Sequence, residues 1–407
     1  MKTLLIVVVV LVLVVGAAGL YLAMSTPSTS AGLQFPLTAD QQAFVAQVPA
    51  TAESFAFVPA AGTLEATMRS NPVTREALES WKRKQKLPSP WMIGGADLLA
   101  WRAGGVNRYL LRLDPVRALL VRLSMMVGGD MGGTVLINAS SEPAIDSSDL
   151  GTILELVKKL PPGRALIVQR QSSRGAFPPI ARPAVTSLQL TATQIDLISR
   201  SPLDGALDAR QLSTPWRYPQ GALLAASFAT VPRMVEDLNR LFGTRVSSLL
   251  ENGGSLSIYD VDSRKLLPRP LGVIAVPADD ARRAALASLT GALSSGRSLG
   301  VNASTAEKDG QLLLSFDRSL DAYQKDAFSS GPWPTGRWSL HADPVRLVPA
   351  LEALSGSVGL RIASPRLYRS AKDLDRWIGI LRGASAIDAT DLQDASGEEL
   401  RVRITSK

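Results

Sequence analysis

Residues 4–23, LLIVVVVLVLVVGAAGLYLA, carry no charged side chain and almost no polar one. About 20 apolar residues rising about 1.5 Å each span a hydrocarbon core of about 30 Å, so this run predicts a membrane-spanning helix. A cleaved secretory signal has a shorter apolar core that ends in a small-x-small site. Here the run continues through Leu20, Tyr21 and Leu22, and its small residues, at 16–19, lie inside it. A retained signal-anchor is therefore expected. Lys2 precedes the run and the next basic residue is Arg69, an asymmetry that keeps the amino terminus in the cytoplasm and exports the rest. The sequence thus predicts a single-pass protein of the inner (cytoplasmic) membrane with its C-terminal domains periplasmic or otherwise extracytoplasmic.

Composition narrows the chemistry. The 407 residues include no cysteine and one histidine, His341, with a formal net charge of +8. Disulfides, thiolate metal sites and cysteine nucleophiles are excluded, and the common zinc and transition-metal constellations lack ligands. No cofactor is expected. The basic residues are scattered among Asp and Glu, which with the export signal argues for a solvated surface and against nucleic acid.

Four segments are expected: the anchor at 1–24, a Ser/Thr/Pro-rich tether at 25–47, and two domains at 48–205 and 206–407. From residue 48 onward a short apolar strand, a turn bearing Pro or Asp, and an amphipathic helix recur, at 54–58, 108–113, 222–228, 271–276 and 337–342. Asp-Pro-Val-Arg stands at 114–117 and again at 343–346. Asp accepts a free backbone N–H at a helix start, and Pro at the first helical position forgoes a bond that has no partner there. Gly94-Gly95 and Gly253-Gly254 each open a strand, while Gly163-Arg164 and Gly336-Arg337 each introduce a later one. The pattern reads as two diverged copies of a split βαβ, ferredoxin-like design, an α+β class with largely antiparallel sheets.

Catalytic constellations are sparse. A Ser-His-Asp triad would have to use His341, which alternation places on the polar face of strand 337–342 as an exposed side chain. The Gly-rich stretch at 128–133 follows a helix and precedes a strand, the reverse of a phosphate-binding turn. Asp146 and Asp149 lack the spacing of a calcium loop and read as a turn and helix cap. One cluster stands out: Trp81, Lys82, Arg83, Lys84 and Lys86 place four cations directly after a tryptophan at a helix end. Such a cluster meets the helix dipole or contacts an anionic surface.

The stretch from Val48 through Pro49, Ala50, Thr51, Ala52, Glu53, Ser54, Phe55, Ala56 and Phe57 to Val58 leads into a strand and then a helix near Asn71-Pro72. It resembles the start of a family of membrane-anchored bacterial envelope proteins of unknown function, with Thr51 where that family carries Asp. The resemblance implies location and architecture only. The function expected is a non-catalytic, membrane-anchored binding or scaffolding protein of the cell envelope, held by its N-terminal helix and contacting an envelope protein partner. The alternatives are a carrier or sensor of an apolar or amphipathic ligand, and a hydrolase using a carboxylate pair.

Overall fold

The computed structural model describes residues 33–84, 96–104, 106–112, 135–137, 147–170, 183–203, 215–228, 249, 253–262, 269–295, 303–317, 320, 323, 325–334, 336–357, 378, 381–394 and 396–407. Two compact units are distinguished, residues 1–192 with 197–202, and residues 193–196 with 203–407. Most of the regular structure is antiparallel β.

In the first unit, helix α1 (Ala39–Val45) precedes strand β1 (Ser54–Val58), helices α2 (Ala61–Ser70) and α3 (Pro72–Lys84), and strands β2 (Asp97–Ala103) and β3 (Val106–Arg112). Strand β4 (Val135–Ile137), helix α4 (Ser147–Val157), and strands β5 (Ala165–Gln169), β6 (Ala184–Leu190) and β7 (Gln194–Ser201) follow. The strand order is β4-β3-β2-β1-β5-β6-β7. Alternation turns Phe55 and Phe57 of β1 to one face. Their cross-strand partners there are Trp101 and Leu99 on β2, and Val168 and Leu166 on β5. All six are buried, and they pack with Phe44 and Val45 of α1 and with Ile153, Leu156 and Val157 of α4. The Phe44 and Phe57 rings meet edge to face at 5.8 Å. On the other face, Val58, Leu98 and Ala165 pack with Ala61 and Leu64 of α2.

This order overturns the ferredoxin-like α+β expectation. A split βαβ keeps the two strands joined by its helix parallel and apart, with a third, antiparallel strand inserted between them, whereas β1 lies antiparallel and directly against β2, the next strand in the chain. The cause is local. Where one helix was expected there are two, packed on each other. Asn71 makes the break: its Oδ1 accepts from the Val73 N–H at 3.0 Å, and Pro72 opens α3. A helix pair returns the chain to the end it left, so the next strand runs antiparallel. Asn71 is fully buried, and its Nδ2 donates to the Thr191 carbonyl at 2.9 Å, tying the break to the turn after β6.

The second unit contains strands β8 (Pro215–Pro219), β9 (Leu224–Phe228), β10 (Gly254–Asp262) and β11 (Arg269–Pro277), helix α5 (Asp280–Ser295), and strands β12 (Ala303–Lys308) and β13 (Gln311–Phe316). Strands β14 (Phe328–Pro334) and β15 (Trp338–Ala342), helix α6 (Pro344–Ser355), and strands β16 (Ala384–Asp394) and β17 (Gly397–Ser406) complete it. Its main sheet runs β12-β13-β11-β10-β9-β15-β16-β17, while β8 and β14 form a separate two-stranded ribbon. One face packs Phe228, Val276, Leu312 and Leu314 against Ala285, Leu286 and Leu289 of α5. The other packs Ala225, Val273, Ala275 and Leu313 against Trp216, Tyr259 and Tyr323.

The two units share one strand order. β9, β10 and β11 stand as β1, β2 and β3, and β15, β16 and β17 stand as β5, β6 and β7. They differ at one edge, where β4 is parallel to β3 but β13 is antiparallel to β11. Gly163 and Gly336 anchor the correspondence. A Cβ on Gly163 would lie 2.3 Å from Ser187 Oγ, and one on Gly336 would lie 2.0 Å from the Asp391 carbonyl oxygen. The next residue in each unit, Arg164 or Arg337, donates its backbone N–H to the same adjoining strand, at Leu188 or Asp391. The Gly-Gly match is displaced, because Gly254 faces Phe228 in the position that Leu98 takes opposite Val58. The repeated Asp-Pro-Val-Arg marks no equivalent point: 343–346 follows β15, the counterpart of β5, whereas 114–117 follows β3 and lies outside the described residues.

The single-pass inner-membrane reading is also corrected, and the transmembrane and signal-anchor readings with it. Among the described residues no helix is long and apolar enough to cross a membrane. The longest, α5, has 16 residues, about 24 Å of rise against a core of about 30 Å. The run at 4–23 that suggested an anchor lies outside the described residues.

Two substitutions test these local causes. Asn71→Ala removes a cap and the bond from Asn71 Nδ2 to the Thr191 carbonyl, so urea denaturation should show a loss of about 1–3 kcal/mol. Asp343 caps α6, with Oδ1 accepting from Val345 N at 3.0 Å and Pro344 at the first helical position. Asp343→Ala should destabilise the second unit by about 0.5–2 kcal/mol in the same assay, and Asp343→Asn should keep most of that.

Candidate functional site

The shared strand order makes the two sheets comparable residue by residue. In the first unit, one row across β2, β1, β5 and β6 reads Trp101, Phe55, Val168 and Val185, and the next reads Leu99, Phe57, Leu166 and Ser187. The corresponding rows across β10, β9, β15 and β16 read Ser257, Ala225, His341 and Asp388, then Ser255, Ser227, Ser339 and Thr390. Arg403 and Arg401 of β17 extend these rows. At the compared positions the first unit is aromatic and aliphatic apart from Ser187, and the second bears hydroxyls, His341 and Asp388 apart from Ala225.

His341 lies at the centre of the polar face. Its Nδ1 is 2.8 Å from Asp388 Oδ1, and their side chains are 12 % and 11 % exposed. A carboxylate only accepts, so Nδ1 carries the proton of this contact. Nε2 has no hydrogen-bond partner among the described residues. The ring is covered by Tyr218 of β8, stacked at 3.9 Å with a 12° interplanar angle. Tyr218 in turn leans on Trp216 at 5.0 Å. Burial, and then the Asp388 charge, push the Tyr218 hydroxyl above its usual titration range. Beside Asp388, Arg403 donates from Nε to Asp196 Oδ1 at 2.8 Å and from Nη2 to Oδ2 at 3.2 Å. Those hydrogen bonds to Asp196 outweigh burial and raise the guanidinium further. Its Cζ sits 5.2 Å from the centre of the Trp333 ring on β14.

Further along β15, Arg337 bridges Asp391 at 2.7 Å and Glu398 at 3.0 Å. Burial raises the Asp391 carboxyl more than Arg337 holds it down. This group clamps the start of β15 to the β16–β17 hairpin.

His341 was expected as an exposed strand residue; it is largely covered, on an acid partner and under an aromatic ring. Position in sequence supplied no warning, because Tyr218 and Asp388 lie more than a hundred and more than forty residues away. The one available signal was period two in 384–394, where Asp388 and Thr390 fall on one face. Of the cationic cluster, Trp81, Lys82, Arg83 and Lys84 fall at the end of α3, with side chains outside the described residues, as is Lys86 altogether. The stretch 128–133 and residues Asp114 and Asp146 also lie outside. Among the described residues no group of three or more His, Asp or Glu side chains converges to hold a metal ion.

Asp388→Asn removes the negative charge that disfavours the Tyr218 phenolate. The Tyr218 ionisation, followed by NMR of 13C-labelled tyrosine, should then move to lower pH while remaining above the ordinary tyrosine value, because burial persists. No family model, curated protein or solved structure matches the chain.

Proposed function

We propose that the chain is a non-catalytic binding or scaffolding protein whose second unit carries the contact site. The observation that supports this reading is the contrast between equivalent rows of the two sheets. Phe55, Phe57, Trp101, Leu99, Val168 and Leu166 pack a core, while Ala225, Ser227, Ser257, Ser255, His341 and Ser339 occupy the same places on the face where Tyr218 covers His341 and Trp216 packs with Ala225. Replacing buried apolar groups by polar ones costs stability unless each is hydrogen-bonded. A polar face where apolar residues suffice has a use other than folding.

His341 and Asp388 have the two-member geometry of a general base, yet no serine or threonine hydroxyl lies on Nε2 among the described residues. A triad mechanism needs that contact. A tyrosine ring flat on the imidazole is an arrangement for holding the histidine in place.

Two measurements test the reading. Purified protein should give no covalent labelling with a fluorophosphonate probe and no turnover of chromogenic esters, glycosides or phosphoesters. A photo-crosslinking amino acid at the exposed Arg217 should trap a discrete, reproducible adduct in cells. Turnover of any of these substrates that vanishes in His341→Gln would overturn the non-catalytic reading, and absence of any adduct would overturn the binding one.

A further inference from the structure

The β8–β14 ribbon is built differently from the sheet it covers. Four of its twelve residues are proline, Pro215, Pro219, Pro332 and Pro334. Proline has no N–H to give to a ladder. Pairing runs from Phe328 opposite Pro219 to Ser330 opposite Arg217, and resumes only at Pro334 opposite Pro215. A two-stranded ribbon is marginal by itself, and this one has few backbone bonds to spare.

Side chains hold it down. At one end Trp216 enters the apolar cluster with Tyr259, Val273 and Tyr323. Gly331 allows β14 to come down on that indole, since a Cβ there would lie 2.6 Å from Trp216 Cε3. Elsewhere the contacts are two ring faces, Tyr218 on His341 and Trp333 on Arg403. Each such contact is individually modest. The sheet positions there are polar, so exposing them to water costs little.

One of them is unsatisfied. Ser227 is 7 % exposed, and its Oγ has no hydrogen-bond partner among the described residues. The neighbouring Ser339 and Thr390 hydroxyls satisfy each other at 3.0 Å. The charges are internally matched, His341 with Asp388 and Arg403 with Asp196. The surface therefore offers neutral hydroxyls, Nε2 of His341 and two aromatic faces, and the described charges that touch His341 and Trp333 are paired.

We propose that the β8–β14 ribbon is a lid, latched by Tyr218 and Trp333, over a site for an uncharged, hydroxyl-rich small molecule of the saccharide class. Opening frees the Tyr218 and Trp333 faces to stack on a sugar ring while Ser227 and His341 hydrogen-bond its hydroxyls. This rests on the binding reading above and gives it a ligand class.

The cysteine-free chain makes the lid directly measurable. In full-length protein, Ser227→Cys places a sole thiol on the sheet face that the ribbon packs against, and Val276→Cys places one in the opposite, helix-covered core. Ser227→Cys should react with a disulfide reagent far faster than Val276→Cys. Adding Tyr218→Ala should speed the first by about 2- to 10-fold, the loss of one ring contact, and leave the second unchanged. Equal slow rates at both positions, or equal acceleration of both, would overturn the lid.

The single histidine makes the site measurable in otherwise unaltered protein. The His341 ring signals should shift saturably with glucose, trehalose or maltotriose and remain unmoved by inorganic phosphate, and the shift should weaken in Ser227→Val. No shift with any of the three sugars, or a shift with phosphate alone, would overturn the site while leaving the adduct test of binding intact. A shift accompanied by new sugar signals from cleavage would uphold the site and overturn the non-catalytic reading instead.

Discussion

Every side-chain row in both units follows from one long-range antiparallel register, β1 on β5 in the first and β9 on β15 in the second. A slip of one residue would turn each inward side chain outward, so the register must be held at its start. Gly163 and Gly336 hold it by having no side chain. Each lets the backbone close onto the adjoining strand, where the next residue, Arg164 or Arg337, donates its N–H to Leu188 or Asp391. Phe55 then meets Val168, and Ala225 meets His341.

On that common frame the units are closed by different means. The first buries aromatic and aliphatic rows under helices, where area removed from water supplies the stability. The second uses its helix α5 on one face only. Its other face is closed by a proline-rich ribbon resting on two tryptophans and a tyrosine. Ring stacking and a cation over an indole replace part of what apolar burial does in the first unit. Such contacts are directional and individually modest, which suits a covering that must hold its place without being immovable.

The electrostatics of the second unit follow from the same arrangement. Buried charge persists only when paired. His341 has Asp388, Arg403 has Asp196, and Arg337 has Asp391 and Glu398. These pairs link β15, β16, β17 and the start of β7, so the polar face is fixed by several strands at once. Ser227, on the same face as His341, is a buried hydroxyl with no hydrogen-bond partner among the described residues.

Local chemistry was readable from the sequence alone. Asp343-Pro344 opening α6 and the alternation of Phe55 with Phe57 both depend on neighbours a few residues apart, whereas α1, capped by Thr38 and Gln41, stands where a tether was expected. The glycines at 163 and 336 were visible as strand openers for the same reason. Tertiary structure alone decided that Asn71 separates two helices and turns an expected ferredoxin-like crossover into an antiparallel neighbour, because that depends on how the pair packs. It also decided that the two Asp-Pro-Val-Arg segments follow non-equivalent strands, since a helix cap specifies where a helix starts and nothing about which strand precedes it. His341 shows the boundary most plainly. Its period-two position named a face, but what that face meets, Asp388 beside it and Tyr218 above it, is set by pairings between distant segments that no local pattern encodes.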